Sequence, residues 1–351
     1  MSDSKKPPPI ADSDVIKQTI FSKLNRCIAP RGEVVFPCIP GMLDYYFQWI
    51  SRLFYALDRP LPPVRQTELR QLLAQKLQEG FACSSAAFLI FSYEPTLGAE
   101  PGLVCQLQLS TPSVDEQYKT WIEVRKTNLF GSHPDAKVLA IASQLGLSHQ
   151  VRVLDIGAGT GRNTLPLARL GYHVDAIELM SPFVEQLQNA VTEEKLPVRV
   201  IQGDILDPLV RMRPASYHYA IASEVVTHFR DLDQVRLLLA KMCDFLYSGG
   251  ILLFNTFLTK EDYQPEPLLR EVAQLSWSSV ITPQELRDAM ERLPLIEISN
   301  ESVIEYEHQH LPSHAWPPTP WFETWATGRD VVPLEQGYPP MELRWILCRR
   351  L

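Results

Sequence analysis

Three carboxylates and three glycines mark where this chain of 351 residues could do chemistry. In VLDIGAGTGRNT, residues 153–164, an apolar run carries Asp155 near its end, passes through Gly157, Gly159 and Gly161, and enters a helical pattern near Arg162. Glycines in such a turn let the backbone approach a ligand closely, and the first N–H groups of the following helix attract an anionic group. A dinucleotide-binding turn has the spacing G-x-G-x-x-G, with the third glycine allowing the helix to pack tightly on the strand. Arg162 stands where that third glycine would fall. Asp155 argues further against a pyrophosphate, because its carboxylate would repel phosphate and suits a ligand with a cationic amino group.

Two more acids follow at matching places. Glu178 closes the run HVDAIEL, where a carboxylate can accept both hydroxyls of a ribose, and Asp204 follows VRVIQG, where it can accept from an adenine amino group. Each alone reads as an ordinary solvated acid. Three of them at the C-terminal ends of successive apolar runs, where open α/β sheets bind ligands, describe a nucleoside site. An amino group, a carboxylate, a ribose and an adenine are together found in S-adenosylmethionine, whose sulfonium makes it a strong methyl donor. The protein must then hold nucleophile, carbon and sulfur in line, and it needs a base only if the acceptor loses a proton. His228 in SEVVTHF, after the fourth run, is the first candidate for that base and Glu224 the second. The alternative for His228 is packing at a helix N-terminus beside Phe229, and for Glu224 a role in holding cofactor or substrate.

The elements that must position these residues can be read from the apolar pattern. Runs at 151–156, 173–179, 198–203, 217–223, 250–257, 295–307 and 341–350 alternate with helical stretches. This alternation predicts an α/β fold: a Rossmann-like, seven-stranded, mostly parallel sheet with helices on both faces, its last two strands antiparallel at one edge. Residues 1–12 are polar and proline-rich and read as a disordered tail. Residues 13–118 read as a smaller N-terminal α+β domain, with helical patterns at 13–27, 42–57 and 64–79 and β-rich runs at 86–94 and 103–109 around the turn-forming loop PTLGAEPG. A helical stretch at 118–147 leads into the glycine turn, and residues 119–351 form the cofactor-binding domain.

These motifs have a family likeness. DIGAGTG with Glu178 and Asp204 downstream, the strand GGILLFNTF and the terminal MELRWILCRR resemble a class I S-adenosylmethionine-dependent methyltransferase across residues 120–351. GRNTLPLA, GYHVDA and SEVVTHFRD make the chain similar to the tellurite-resistance type within that superfamily. The resemblance implies that Asp155, Gly157, Ala158, Gly159 and Gly161 surround the methionine part of the cofactor and that Glu178 holds the ribose, with Leu179 beside it in the cofactor set. It implies Asp204 and Ile205 at the adenine, and Ser223 and Glu224 next to the transferring methyl. Amide and nucleobase N-methyltransferases of the superfamily often carry an Asn/Asp-Pro-Pro-aromatic motif there. This chain reads ASEVVTHF, which argues against that type.

The segment 308–340 between the last two strands carries His308, His310, His314, Trp316, Trp321 and Trp325 among many prolines. Trp316, Trp321 and Trp325 are expected to form a substrate-facing wall, with covering the end of the sheet as the alternative. The histidines lack acidic or thiolate partners at metal-ligand spacing, so no metal site is expected. A net charge of −8 argues against a nucleic-acid or anionic-membrane partner. The apolar stretch 42–57 is interrupted by Asp44 and Arg52 and suits an amphipathic helix better than a membrane span. Six scattered cysteines and the polar N-terminus fit a cytoplasmic protein with reduced thiols.

The methyl acceptor, a small molecule or a protein, is not encoded in any readable motif. The N-terminal domain would serve either substrate recognition, as in a protein side-chain methyltransferase, or homodimerisation. A non-catalytic cofactor-binding protein and an NAD-dependent oxidoreductase are the competing readings, disfavoured by the intact acids and by Arg162.

Overall fold

The computed structural model describes residues 12–13, 15–17, 29–96, 103–113, 116, 118–120, 124 and 131–351. The expected tail at 1–12, the helix at 13–27, the loop PTLGAEPG and most of 118–130 therefore lie largely outside the described residues. The chain separates into two compact units, Met1–Thr111 and Pro112–Leu351.

In the first unit an antiparallel sheet has the order β1-β2-β3, formed by β1 (Gly32–Pro37), β2 (Phe88–Pro95) and β3 (Leu103–Ser110). Helices α1 (Leu43–Ala56) and α2 (Pro63–Cys83) lie between β1 and β2 in sequence. Tyr46, Ile50 and Leu53 recur at helical spacing on α1, and Leu73 and Leu77 on α2. They pack with Leu89, Phe91 and Tyr93, which alternate on β2. The stretch 42–57 is thus an amphipathic helix, and none of the described helices is long and apolar enough to cross a membrane.

In the second unit, from residue 131 onward, the short helix α3 (Ala136–Ala142) is followed by β4 (Arg152–Ile156), α4 (Thr164–Arg169), β5 (His173–Glu178), α5 (Ser181–Glu194), β6 (Val198–Gln202) and β7 (Tyr217–Ala222). Then come α6 (Leu232–Phe245), β8 (Leu246–Thr259), α7 (Pro267–Leu275), β9 (Val280–Ile281), α8 (Pro283–Met290), β10 (Leu295–Ser302), α9 (Val303–His310), α10 (Phe322–Ala326) and β11 (Met341–Arg350). Seven strands follow the order β10-β11-β8-β7-β4-β5-β6, and β9 adds a short pairing to β8. The expected Rossmann-like sheet is present. Strands β4 to β8 run parallel in their mutual pairings, and β11 pairs antiparallel with both β8 and β10.

Alternation along each strand explains the two cores. Leu154, Ala220, Leu252 and Phe254 face α6 and α8, while Val153, Tyr219, Leu253 and Trp345 face α3, α4, α9 and α10. Helix starts are fixed locally. Asp231 accepts from the backbone N–H of Gln234, and Thr282 and Glu285 form a reciprocal capping box at the start of α8.

The last two strands lie antiparallel at one edge of the sheet as expected, with β11 between β8 and the edge strand β10. Two expectations need correction. Residues 295–307 are not one strand, because the Ser302 hydroxyl accepts from the N–H of Glu305 and starts α9 there. The helical stretch at 118–147 shrinks, among the described residues from 131 onward, to α3 and a 3-10 turn at Ser148–Gln150, since Pro134 and Gly146 interrupt it.

Candidate functional site

Strand order reverses at β4, which has β5 and β6 on one side and β7 and β8 on the other. In an open parallel sheet this switch leaves a crevice at the C-terminal ends of the two central strands, here β4 and β7. Residues 157–161 after β4 and 223–228 after β7 therefore face one another. Gly157 and Gly161 have φ of +67° and +97°, a region open to glycine. A Cβ on Gly157 would sit 2.5 Å from Val225 Cγ2, and one on Gly161 would meet Leu165 and Leu187 at 2.7 Å. The turn is thus shaped by close approach to the β7 loop and to both adjoining helices.

Asp155 lies beneath this turn and is only 2% exposed. Its Oδ2 accepts from the Thr164 hydroxyl at 2.5 Å, while Oδ1 accepts no hydrogen bond among the described residues. Burial raises its pKa to about 7, against the opposing effect of Thr164. Glu178 is buried at the end of β5, where Oε2 accepts from Gly159 N–H at 2.7 Å and Oε1 from Met180 N–H at 2.8 Å. Burial raises its pKa as well, opposed by these backbone donors. Ala158 and Ile205 are buried nearby, whereas Leu179 and Asp204 are exposed, with Asp204 Oδ1 accepting from Leu206 N–H.

On the β7 side, Arg162 explains its departure from the dinucleotide spacing. Its guanidinium is buried and bridges Asp135 Oδ1 at 2.8 Å and Glu224 Oε1 at 2.7 Å. Burial works against its charge, but the two carboxylates outweigh burial and raise its pKa, so it stays protonated. Asp135 also accepts from the Ser223 hydroxyl at 2.8 Å and from Asn163 Nδ2 at 2.9 Å. Glu224 adopts a left-handed backbone, φ +59°, and its N–H donates to Asn255 Oδ1 at 2.6 Å. Strained backbone of this kind persists where the surroundings hold it, commonly at functional sites. Behind the network, Glu307 accepts from the N–H groups of Ala136 and Lys137 and from Trp345 Nε1. Burial and then Asp135 raise its pKa to about 7.

His228 follows in a 3-10 turn, Val226–His228. Its ring keeps an accessible face, and Nε2 lies 3.5 Å from the Tyr118 hydroxyl. Desolvation lowers its pKa to about 4, so the imidazole is neutral near pH 7 and a weaker base than a solvated one. Tyr118 stacks on Trp277 with ring centroids 5.3 Å apart and meets Phe183 edge-on at 5.5 Å. Trp277 also has positive φ, +49°.

The structure therefore gathers Asp155, the glycine turn, Glu178, Ser223, Glu224 and His228 around one crevice. It adds Tyr118, Asp135, Asn163 and Trp277, which no sequence motif marks, and gives Arg162, read in the sequence as a displaced glycine, a place in the network. The tryptophans of the insert are packing residues. Trp325 is buried against Phe257 and Phe322 and donates from Nε1 to the Ser276 carbonyl, so it is core rather than wall. Trp316 and Trp321 pack half-buried on the same core. Large apolar rings packed on the face of a sheet gain more from burial than from solvent contact.

Residues 153–250 match the family model of a methyltransferase domain, a span that contains every one of the expected cofactor positions and both expected base positions. The chain carries a class I S-adenosylmethionine-dependent methyltransferase domain. S-adenosylmethionine is its cofactor, and the protein is an enzyme of this methyltransferase type. Among characterised relatives, carboxy-S-adenosyl-L-methionine synthase of Pseudomonas savastanoi pv. phaseolicola is 29% identical over 180 residues, covering 48% of this chain and 70% of that protein. The enzyme of the same name from Pseudomonas syringae pv. syringae is 27% identical over 194 residues, covering 52% and 76%. A solved geranyl diphosphate methyltransferase in complex with S-adenosylmethionine aligns at 18% identity and a TM-score of 0.48, over 62% of this chain and 85% of that one.

Proposed function

We propose that this methyltransferase domain transfers the methyl group of S-adenosylmethionine in line to an uncharged or cationic acceptor, with His228 taking up the acceptor's proton. The observation that carries this reading is the charge around the crevice: Asp135, Asp155, Glu178, Glu224 and Glu307 surround one buried guanidinium, Arg162, whose charge is already engaged by two of them. Such a lining favours the cationic amino group and sulfonium of the donor and disfavours an anionic acceptor beside Glu224.

The residues present fit the cofactor. Asp155 offers Oδ1 to the amino group, Glu178 retains lone pairs for a ribose diol beyond those its two backbone donors use, and the glycine turn admits the methionine part without a Cβ in the way. The bound cofactor supplies an electrophilic methyl group. Ser223 and Glu224 border the position of that group, and Arg162 fixes the Glu224 carboxylate. Neutral His228 accepts the proton released by an N–H or O–H acceptor, and Tyr118 and Trp277 limit the freedom of its ring.

The name of these relatives raises a second reading, formation of a carboxylated S-adenosylmethionine. That product carries an extra carboxylate, which here would enter a crevice lined by acids with Arg162 already paired. One experiment separates the two. Purified protein is incubated with methyl-labelled S-adenosylmethionine and a matched cell extract, and the nucleoside products are resolved by mass. S-adenosylhomocysteine together with label in a protein or metabolite fraction supports methyl transfer; a carboxylated nucleoside without labelled acceptor overturns it. In the same assay His228→Ala should lower transfer by about 100-fold, the usual weight of one general base, while S-adenosylmethionine affinity stays within about twofold. Unchanged transfer would return His228 to a packing role.

The raised pKa of Asp155 gives a pH test. An amino cation favours the ionised carboxylate, so the complex holds fewer protons than the free protein, and binding releases a proton below the free-state value of about 7. Affinity should therefore tighten as pH rises from about 5.5 to 7 and level off above, by at most tenfold per unit. Calorimetry in two buffers of different ionisation enthalpy reads the released proton directly. Proton uptake instead of release would remove Asp155 from the amino-group site.

A further inference from the structure

Lys241 on α6 sends its ammonium across to the loop after β6. Nζ donates to the carbonyl of Ile205 at 2.6 Å, to that of Asp207 at 2.7 Å and, at the limit of a hydrogen bond, to that of Val210 at 3.5 Å. No carboxylate lies within ion-pair reach of it among the described residues, so its bonding is to backbone alone.

The loop explains why a cation is placed there. Gly203 N–H donates to the Glu178 carbonyl at 2.9 Å, tying the loop to the end of β5. Two Asx turns follow: Asp204 Oδ1 accepts from Leu206 N–H and Asp207 Oδ1 from Leu209 N–H, each at 2.8 Å. These turns consume N–H groups, and the carbonyls of Ile205, Asp207 and Val210 converge on the ammonium, that of Asp207 also accepting from Val210 N–H at 3.1 Å. Carbonyls drawn partly out of water need donors. An ammonium has three donors and no acceptor, and it matches three converging carbonyls where a neutral amide would satisfy at most two.

We propose that Lys241 is a positioning residue for the adenine end of the cofactor: it clamps residues 205–210 so that Asp204 and Ile205 present a preformed edge to the base. The proposal rests on the reading that Asp204 and Ile205 hold the adenine. Without the clamp the loop must be ordered on binding, and affinity falls for every ligand that carries adenine.

The test uses the full chain and S-adenosylmethionine, S-adenosylhomocysteine and 5′-methylthioadenosine as calorimetric probes. Lys241→Met should weaken all three by a similar factor, about tenfold, and Lys241→Gln should recover part of the loss. In the ligand-free protein, Lys241→Met should speed hydrogen exchange at the amides of Leu206, Asp207 and Val210 while leaving the β4 and β7 amides unchanged. The Asp204→Ala, Lys241→Met double variant should lose less than the sum of the two single losses, because both act on one contact. A purely structural lysine would alter exchange throughout α6 and β8 and give additive losses, which would overturn the proposal. Affinity lowered by Asp204→Ala but not by Lys241→Met overturns the proposal alone. Affinity unchanged in Asp204→Ala overturns the adenine reading and the proposal with it.

Discussion

Replacing Arg162 by methionine should destabilise the second unit by about 3–5 kcal/mol, the cost of leaving a buried charge without its partner. The Arg162 guanidinium is the donor shared by Asp135 and Glu224, and both carboxylates lie largely out of solvent. Methionine fills the space of the stem but leaves two buried acids facing one another. Each then holds a proton or draws water into the core. Urea unfolding at pH 7 reads the loss, and the Arg162→Met, Glu224→Gln double variant should recover part of it by removing one orphaned charge. A loss below about 1 kcal/mol would mean that the pair is solvated and that the network does not organise the crevice.

The second large effect is expected at Glu178. Its carboxylate holds the glycine turn through Gly159 N–H and the start of the next loop through Met180 N–H. In Glu178→Ala both donors lose their acceptor, and the ribose loses a charge-assisted partner. S-adenosylmethionine affinity should fall by about 1–3 kcal/mol, or roughly fivefold to 150-fold. Calorimetry gives the affinity and a ligand-free thermal melt gives the separate cost to the turn. Glu178→Gln separates the roles: its amide oxygen can serve one backbone N–H, while its NH₂ faces the other. Unchanged affinity in both variants would move the ribose away from β5.

The parts of this arrangement that were legible in sequence are those written locally. Apolar runs such as VLDI and YAIA are nearly continuous because central parallel strands are covered on both faces, and the acids at their ends mark the open end of the sheet. GEVVFP went unread because β1 is a short edge strand whose Val35 faces solvent, so its alternation is weak. The boundary at Ser302 is a cap, signalled by the S-x-x-E spacing of Ser302 and Glu305 but masked by the apolar run around it. The remaining omissions are contacts between distant positions. Tyr118 meets His228 across 110 residues, Ser223 meets Asp135 across 88, and Lys241 meets Ile205 across 36. No window of sequence contains both members of such a pair. Arg162 was noticed only as a missing glycine, since the charge it balances comes from two other loops.

The placement of β11 has a consequence for how the protein is made. β10 finds its neighbour in the sheet only in β11, which is translated some forty residues later and must slide between β10 and the already paired β8. While the chain emerges from the ribosome, the exposed side of β8 stays an open edge of apolar backbone, a template for pairing with other nascent chains. The glycine turn and the acids of the donor crevice are by then already synthesised. Ligand capture can precede completion of the sheet, and a truncation between residues 303 and 340 would release a chain with its binding loops present, β10 unpaired and one side of β8 open.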